Sequence, residues 1–167
     1  MVELSGGQIV TAAYAMQNLH LINKELSGAA RPLPLPKTQG TFQSMSLIPS
    51  QTRELLACSF CSPHSIYIYT LQENALEHVQ SITPDFDPFR GVWLQTLKTF
   101  LVFDYNQSNR APSIFIKLKS ERIQELQMDD AIQVRSICRL KGKEKVGKDI
   151  VILYDDISKS LLEFELS

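Results

Sequence analysis

The stretch Ser65-Ile66-Tyr67-Ile68-Tyr69-Thr70-Leu71 decides how the chain is read, because its β-branched and aromatic residues alternate with a period of two. In an extended chain successive side chains point to opposite faces, so Ile66 and Ile68 share one face and Tyr67 and Tyr69 the other. Runs of the same kind are Asn18-Leu19-His20-Leu21-Ile22, Ser113-Ile114-Phe115-Ile116-Lys117-Leu118 and Ser160-Leu161-Leu162-Glu163-Phe164-Glu165-Leu166. Their first residues, 18, 65, 113 and 160, are spaced by 47, 48 and 47 positions. A spacing this constant predicts a repeated structural unit.

Outward from that strand, the unit fills in on both sides. Thr41 to Ile48 alternates and stops at Pro49-Ser50, and Leu55 to Phe60 is a compact apolar run suited to a strand covered on both faces. Ser62-Pro63-His64 makes a turn into the Ser65 strand, and the more polar Ala75 to Ile82 closes a four-stranded meander over residues 40–83. The order recurs over 84–129, as Phe89 to Leu97 with the single tryptophan Trp93, Phe100 to Tyr105, Ser113 to Leu118 and Arg122 to Met128. A last unit, 130–167, runs through Ala131 to Leu140, Asp149 to Tyr154 and Leu161 to Leu166, and is expected to lack its fourth strand.

The first unit, 2–39, is less regular. Ala12, Ala13, Ala15, Met16 and Leu19 are good helix formers, and a small α+β domain with residues 8–26 helical is the alternative fold. Alignment with the later copies predicts instead a hairpin of Gln8 to Tyr14 with Leu19 to Leu26, a partial first blade. Pro32, Pro34 and Pro36 in Ser27 to Gln39 remove three backbone donors, which excludes a central strand and predicts an extended connector.

Four-stranded meanders repeating every 40 to 50 residues resemble the WD-repeat-like β-propeller superfamily over Gly7 to Leu166. The resemblance implies an all-β, partial β-propeller fold and a scaffold for protein–protein interaction. The family's Gly-His opening is absent, and its Trp-Asp positions read Tyr69-Thr70, Lys117-Leu118 and Glu165-Leu166, so no family residue is carried over as a site. An array with an unfinished unit exposes strand edges, which predicts a slice of a longer propeller or completion by a partner.

The totals narrow the function classes. With 17 basic and 18 acidic residues and a net charge of -1, a surface that coats nucleic acid or clamps a membrane is not expected. Three cysteines do not form a disulfide framework, so a reducing, intracellular compartment, cytoplasmic or nuclear, is expected. The first 20 residues hold no basic leader ahead of an apolar core, and no apolar run nears the ~18–20 residues of a membrane span.

Three segments carry candidate chemistry. Cys58 and Cys61 with His64 supply half of a tetrahedral zinc site, against a reading in which Cys58 is a small inward-facing hydrophobe. Arg139 to Lys148 holds five basic residues, among them Lys141, Lys143 and Lys145; such a loop could grip phosphate or an acidic partner, or simply be solvated. In Asp85-Phe86-Asp87-Pro88-Phe89 the residues Phe86, Asp87 and Phe89 could present an aromatic anchor to a partner, or Phe86 could tuck under a blade edge while Phe89 starts a strand. Asp104, Asp155 and Asp156 end second strands and could accept hydrogen bonds from a turn. No catalytic residue and no cofactor site is expected. The leading expectation is a non-enzymatic interaction scaffold in a larger complex. Its alternatives are a nucleic-acid-associated module using 139–148 and a zinc-stabilised domain using Cys58, Cys61 and His64.

Overall fold

The computed structural model describes residues 1–4, 6–12, 18–23, 29–35, 40–48, 54–72, 75–104, 113–117, 122–126, 134–140 and 147–166, with backbone alone for 104, 113–117, 122–126 and 134–136. Among them are fifteen strands and no helix. The strands form four separate antiparallel meanders. The first runs β1 (Val2–Glu3), β2 (Gln8–Thr11), β3 (Asn18–Asn23), β4 (Arg31–Pro34), and the second β5 (Thr41–Ile48), β6 (Leu55–Cys61), β7 (Ser65–Gln72), β8 (Ala75–Ile82). The third is β9 (Pro88–Leu94), β10 (Thr99–Asp104), β11 (Ser113–Lys117), β12 (Arg122–Leu126). The fourth has three strands, β13 (Val134–Arg139), β14 (Asp149–Asp155) and β15 (Ser160–Leu166). Among the described residues the fold is all-β, built of small antiparallel sheets, and no closed barrel is formed.

The α+β alternative is overturned. Gln8–Thr11 and Asn18–Asn23 pair as a hairpin, Val10 with Leu21 and Thr11 with His20, so tertiary pairing overrides the helix propensity of the alanines. The expected partial blade is also corrected, because the first sheet has four strands. Its fourth, β4, lies in what the prolines suggested was a connector, with Leu33 opposite Leu19 and Pro32 opposite His20. Pro32 and Pro34 share one parity of an edge strand, and their missing donors point to the unpaired side, leaving Arg31 and Leu33 to serve the ladder. Leu33, between them, is fully buried.

The chain divides into two compact units, Met1–Pro88 and Phe89–Ser167. In the first, β1 lies beside β5 and β4 beside β8, so two meanders stack edge over edge. Their shared core contains Val10, Leu19, Leu21 and Leu33 from one sheet and Phe42, Leu56, Cys58, Phe60 and Tyr69 from the other. All of Leu56–Phe60 is buried, as a strand covered on both faces must be. Phe42, Phe60, Tyr67 and His78 form a chain of edge-on ring contacts with centroids 5.4 to 6.0 Å apart. Each such pair contributes roughly 0.5–1.5 kcal/mol beyond area burial. The hairpin end at Gly40 is closed over Cys61, whose carbonyl oxygen a Cβ on Gly40 would approach to 2.4 Å.

In the second unit the third and fourth sheets share a core of Leu94, Leu101, Phe103, Val151 and Leu153, with Ile137, Phe164 and Leu166 at its border. Gly91 on β9 leaves room for the Phe100 ring, whose Cζ would lie 2.4 Å from an added Cβ. The boundary between the units falls after Pro88, the first residue of β9.

Candidate interaction surface

Beside their shared core, one buried carboxylate ties the fourth sheet to the third. Asp149, the first residue of β14, is fully buried and accepts hydrogen bonds from the amides of Gln95 (3.0 Å), Thr96 (2.7 Å) and Leu97 (3.4 Å) in the β9–β10 turn. Arg139 Nη1 donates to the same carboxylate at 3.2 Å from the neighbouring strand β13. A buried charge is tolerated only when paired and hydrogen-bonded, and here the amides of a tight turn and a guanidinium share that task.

The β14–β15 hairpin is fixed in the same way from within. Asp155 accepts from the amides of Ile157 (3.1 Å) and Ser158 (3.0 Å), and Lys159 closes the turn with φ 54°. The carboxylate serves its own turn, satisfying amides that the hairpin leaves unpaired. In this turn Ile157 is 61% exposed, and Leu161 follows on β15 at 70%. Among the described residues of the second unit, these two large apolar side chains are the most exposed of their kind.

Beyond the hairpin, β15 has two unlike faces. Leu162, Phe164 and Leu166 are partly buried, the last two against the core, while Leu161, Glu163 and Glu165 are exposed. Across the sheet Leu161 pairs with Tyr154, Glu163 with Ile152 and Glu165 with Ile150. Among the described residues β15 has a single strand neighbour, β14, whereas the third strands β3, β7 and β11 each have two.

The residues singled out from sequence lie elsewhere. Phe86 and Asp87 are each 7% exposed, and Gln43 Nε2 donates to Asp87 Oδ1 at 3.0 Å, so this part of the connector is tied down and presents no anchor. Phe89 is half-buried beneath Arg90, whose guanidinium carbon lies 4.9 Å from the ring centroid. Lys141, Lys143 and Lys145 lie outside the described residues; of the other basic residues in that segment, Arg139 pairs with Asp149 and Lys148 with Glu165 at 2.8 Å. Cys58 and Cys61, three apart on β6, fall on opposite faces by strand alternation. Cys58 sits in the core with its thiol pushed up to about 12 by burial. Among the described residues no group of three or more histidine, cysteine or acidic side chains is placed to hold a metal ion. Asp149, Ile157 and Leu161 were not singled out from sequence. Asp149 has no local turn pattern, since the amides that donate to it are 52 to 54 positions away and Arg139 lies ten positions before it.

No family model matches the chain, and no curated protein is similar to it. Among the described residues no helix is long and apolar enough to cross a membrane.

Proposed function

We propose that the chain is a non-enzymatic interaction scaffold, a divergent member of the WD-repeat-like propellers, working within an intracellular multi-protein complex. The observation that carries this reading is the β14–β15 hairpin, which Asp155 braces while it holds Ile157 and Leu161 in water. Large apolar side chains on a rigid turn lose little conformational entropy on docking, which is how an anchor residue acts. The repeated meanders supply a stiff base and leave their turns to vary.

The test is affinity purification of the tagged chain from cells, quantified beside an Ile157→Asp, Leu161→Asp double variant whose fold is checked by circular dichroism. Proteins recovered with the wild-type chain and reduced several-fold with the folded variant support the reading. An identical set of recovered proteins removes the hairpin as the docking element.

A further inference from the structure

We infer that Ser158, at the tip of the β14–β15 hairpin, is a phosphorylation site for an acid-directed serine/threonine kinase, and that its phosphate breaks the brace on Asp155. This rests on the scaffold reading above and names how the docking element is regulated. Ile157, Ser158 and Lys159 are all exposed, the longest unbroken exposed run among the described residues, so the hydroxyl is open to an enzyme. Asp155 and Asp156 stand three and two positions before the serine, a charge pattern that suits a kinase cleft lined with basic side chains. Ser160, the neighbouring hydroxyl, is partly buried and lies in the ladder opposite Asp155, which makes it the poorer substrate.

The hydroxyl is part of the brace. Ser158 Oγ donates to Oδ2 of Asp155 at 2.5 Å, beside the amides of Ile157 and Ser158, and lies 2.6 Å from the Oγ of Ser160. Asp155 is 5% exposed, so its charge depends on such donors and little on water. In the transfer Ser158 Oγ attacks the γ-phosphorus of ATP, the bond from that phosphorus to the bridging oxygen breaks, ADP leaves, and the hydroxyl proton passes to the kinase's base. The product has no O–H to donate, and it carries a charge of about −1.5 to −2 at pH 7 where the carboxylate had its donor. Lys159, next in sequence, is already paired with Asp156 at 2.8 Å. The turn opens to part the like charges, and Ile157 leaves the position from which it docks.

The experiment takes the tagged chain from cells with phosphatases inhibited, and the purified chain incubated with MgATP and an acid-directed kinase, and locates phosphate by mass spectrometry. Phosphate is expected on Ser158; its absence there in both samples, or its presence on Ser160 instead, overturns the assignment. Amide hydrogen exchange at 156–160 is expected to quicken at least about tenfold in the phosphorylated chain, with exchange in the β13–β14 ladder unchanged. Unchanged exchange at 156–160 overturns the breaking of the brace. Recovery of partners is expected to fall several-fold on phosphorylation of the wild-type chain, and to show no response to kinase treatment in Ser158→Ala, which has no hydroxyl to modify. Recovery that falls for the Ile157→Asp, Leu161→Asp variant but not on phosphorylation would leave the scaffold reading standing and remove this one. Recovery unmoved by the double variant would remove the scaffold reading, while the exchange measurement still decides what the phosphate does to the turn.

Discussion

The amide of Thr96 donates to Oδ2 of Asp149 at 2.7 Å across 53 positions of sequence, joining the turn of one meander to the first residue of the second strand of the next. Asp149→Ala would leave three turn amides and the Arg139 guanidinium without their acceptor, and the loss is expected to be about 3 kcal/mol. Arg139→Ala leaves the carboxylate its backbone donors and is expected to cost less, about 1–2 kcal/mol. Midpoints of urea unfolding would show this ranking; equal losses would mean that the ion pair, and not the turn, is what Asp149 serves.

Gly91 and Gly40 are expected to resist enlargement for different reasons. At Gly91 a methyl group meets the Phe100 ring, a side chain that can give way only by disturbing the core, so Gly91→Ala is expected to cost about 1–3 kcal/mol. At Gly40 the obstacle is the backbone carbonyl of Cys61, and φ is 102°, a conformation that L side chains rarely adopt. Gly40→Ala is therefore expected to be the worse of the two, and Phe100→Leu should relieve Gly91→Ala while leaving Gly40→Ala unchanged. Thermal melts of the four variants decide it.

Cys58 makes the first unit sensitive to alkali. Its thiol, ordinarily near 9.0, is pushed up to about 12 in the fold by burial, so the unfolded chain releases this proton first as pH rises. The stability it carries is complete below pH 9 and is lost between about 9 and 12, and burial pushes the Tyr69 hydroxyl upward in the same sense. Cys58→Ala is expected to flatten the fall in melting temperature between pH 8 and pH 10.5, although the variant starts lower because a core atom is missing. An unchanged slope would show that Cys58 has no part in it.

Thiol labelling under native conditions gives a related contrast. Cys138 is exposed and Cys58 buried, so alkylation at pH 8 is expected to modify Cys138 rapidly and Cys58 only when the chain opens. Rapid labelling of Cys58 would contradict its place among Leu56 and Phe60.

Lys98 and Lys159 each end a hairpin turn with positive φ, 51° and 54°. Glycine adopts this conformation without a Cβ clash, and Lys98→Gly or Lys159→Gly is expected to raise stability by up to about 1 kcal/mol. A loss of stability by either would mean that the lysine side chain holds more than its turn; for Lys159 the exposed pair with Asp156 is too weak to produce one.

Strand positions were largely legible because the chain is built from alternation. Thr41–Ile48 and Ala75–Ile82 match their expected limits at both ends, since proline or polar turn residues stop the pattern sharply. The first sheet was harder to read. Proline at alternate positions argues against a strand when neighbours on both sides are assumed, and β4 needs only one. The available signal was the alternation of Leu33 and Leu35 with Pro32, Pro34 and Pro36, and the structure buries Leu33 between an exposed Pro32 and Pro34. The interaction surface was scarcely legible: Ile157 and Leu161 look like any apolar pair in sequence, and only the braced turn shows them turned outward. Phe86 and Asp87 failed in the opposite sense, because the hydrogen bond from Gln43 that ties the connector down spans 44 positions.

Two strand edges, β4 and β15, bear on how large an assembly can become. A ladder between copies requires both edges to donate, and at Pro32 and Pro34 there is no N–H to give. The β4 edge of one copy therefore makes a poor template for the β15 edge of another, and head-to-tail polymerisation through these two edges is blocked at its first step.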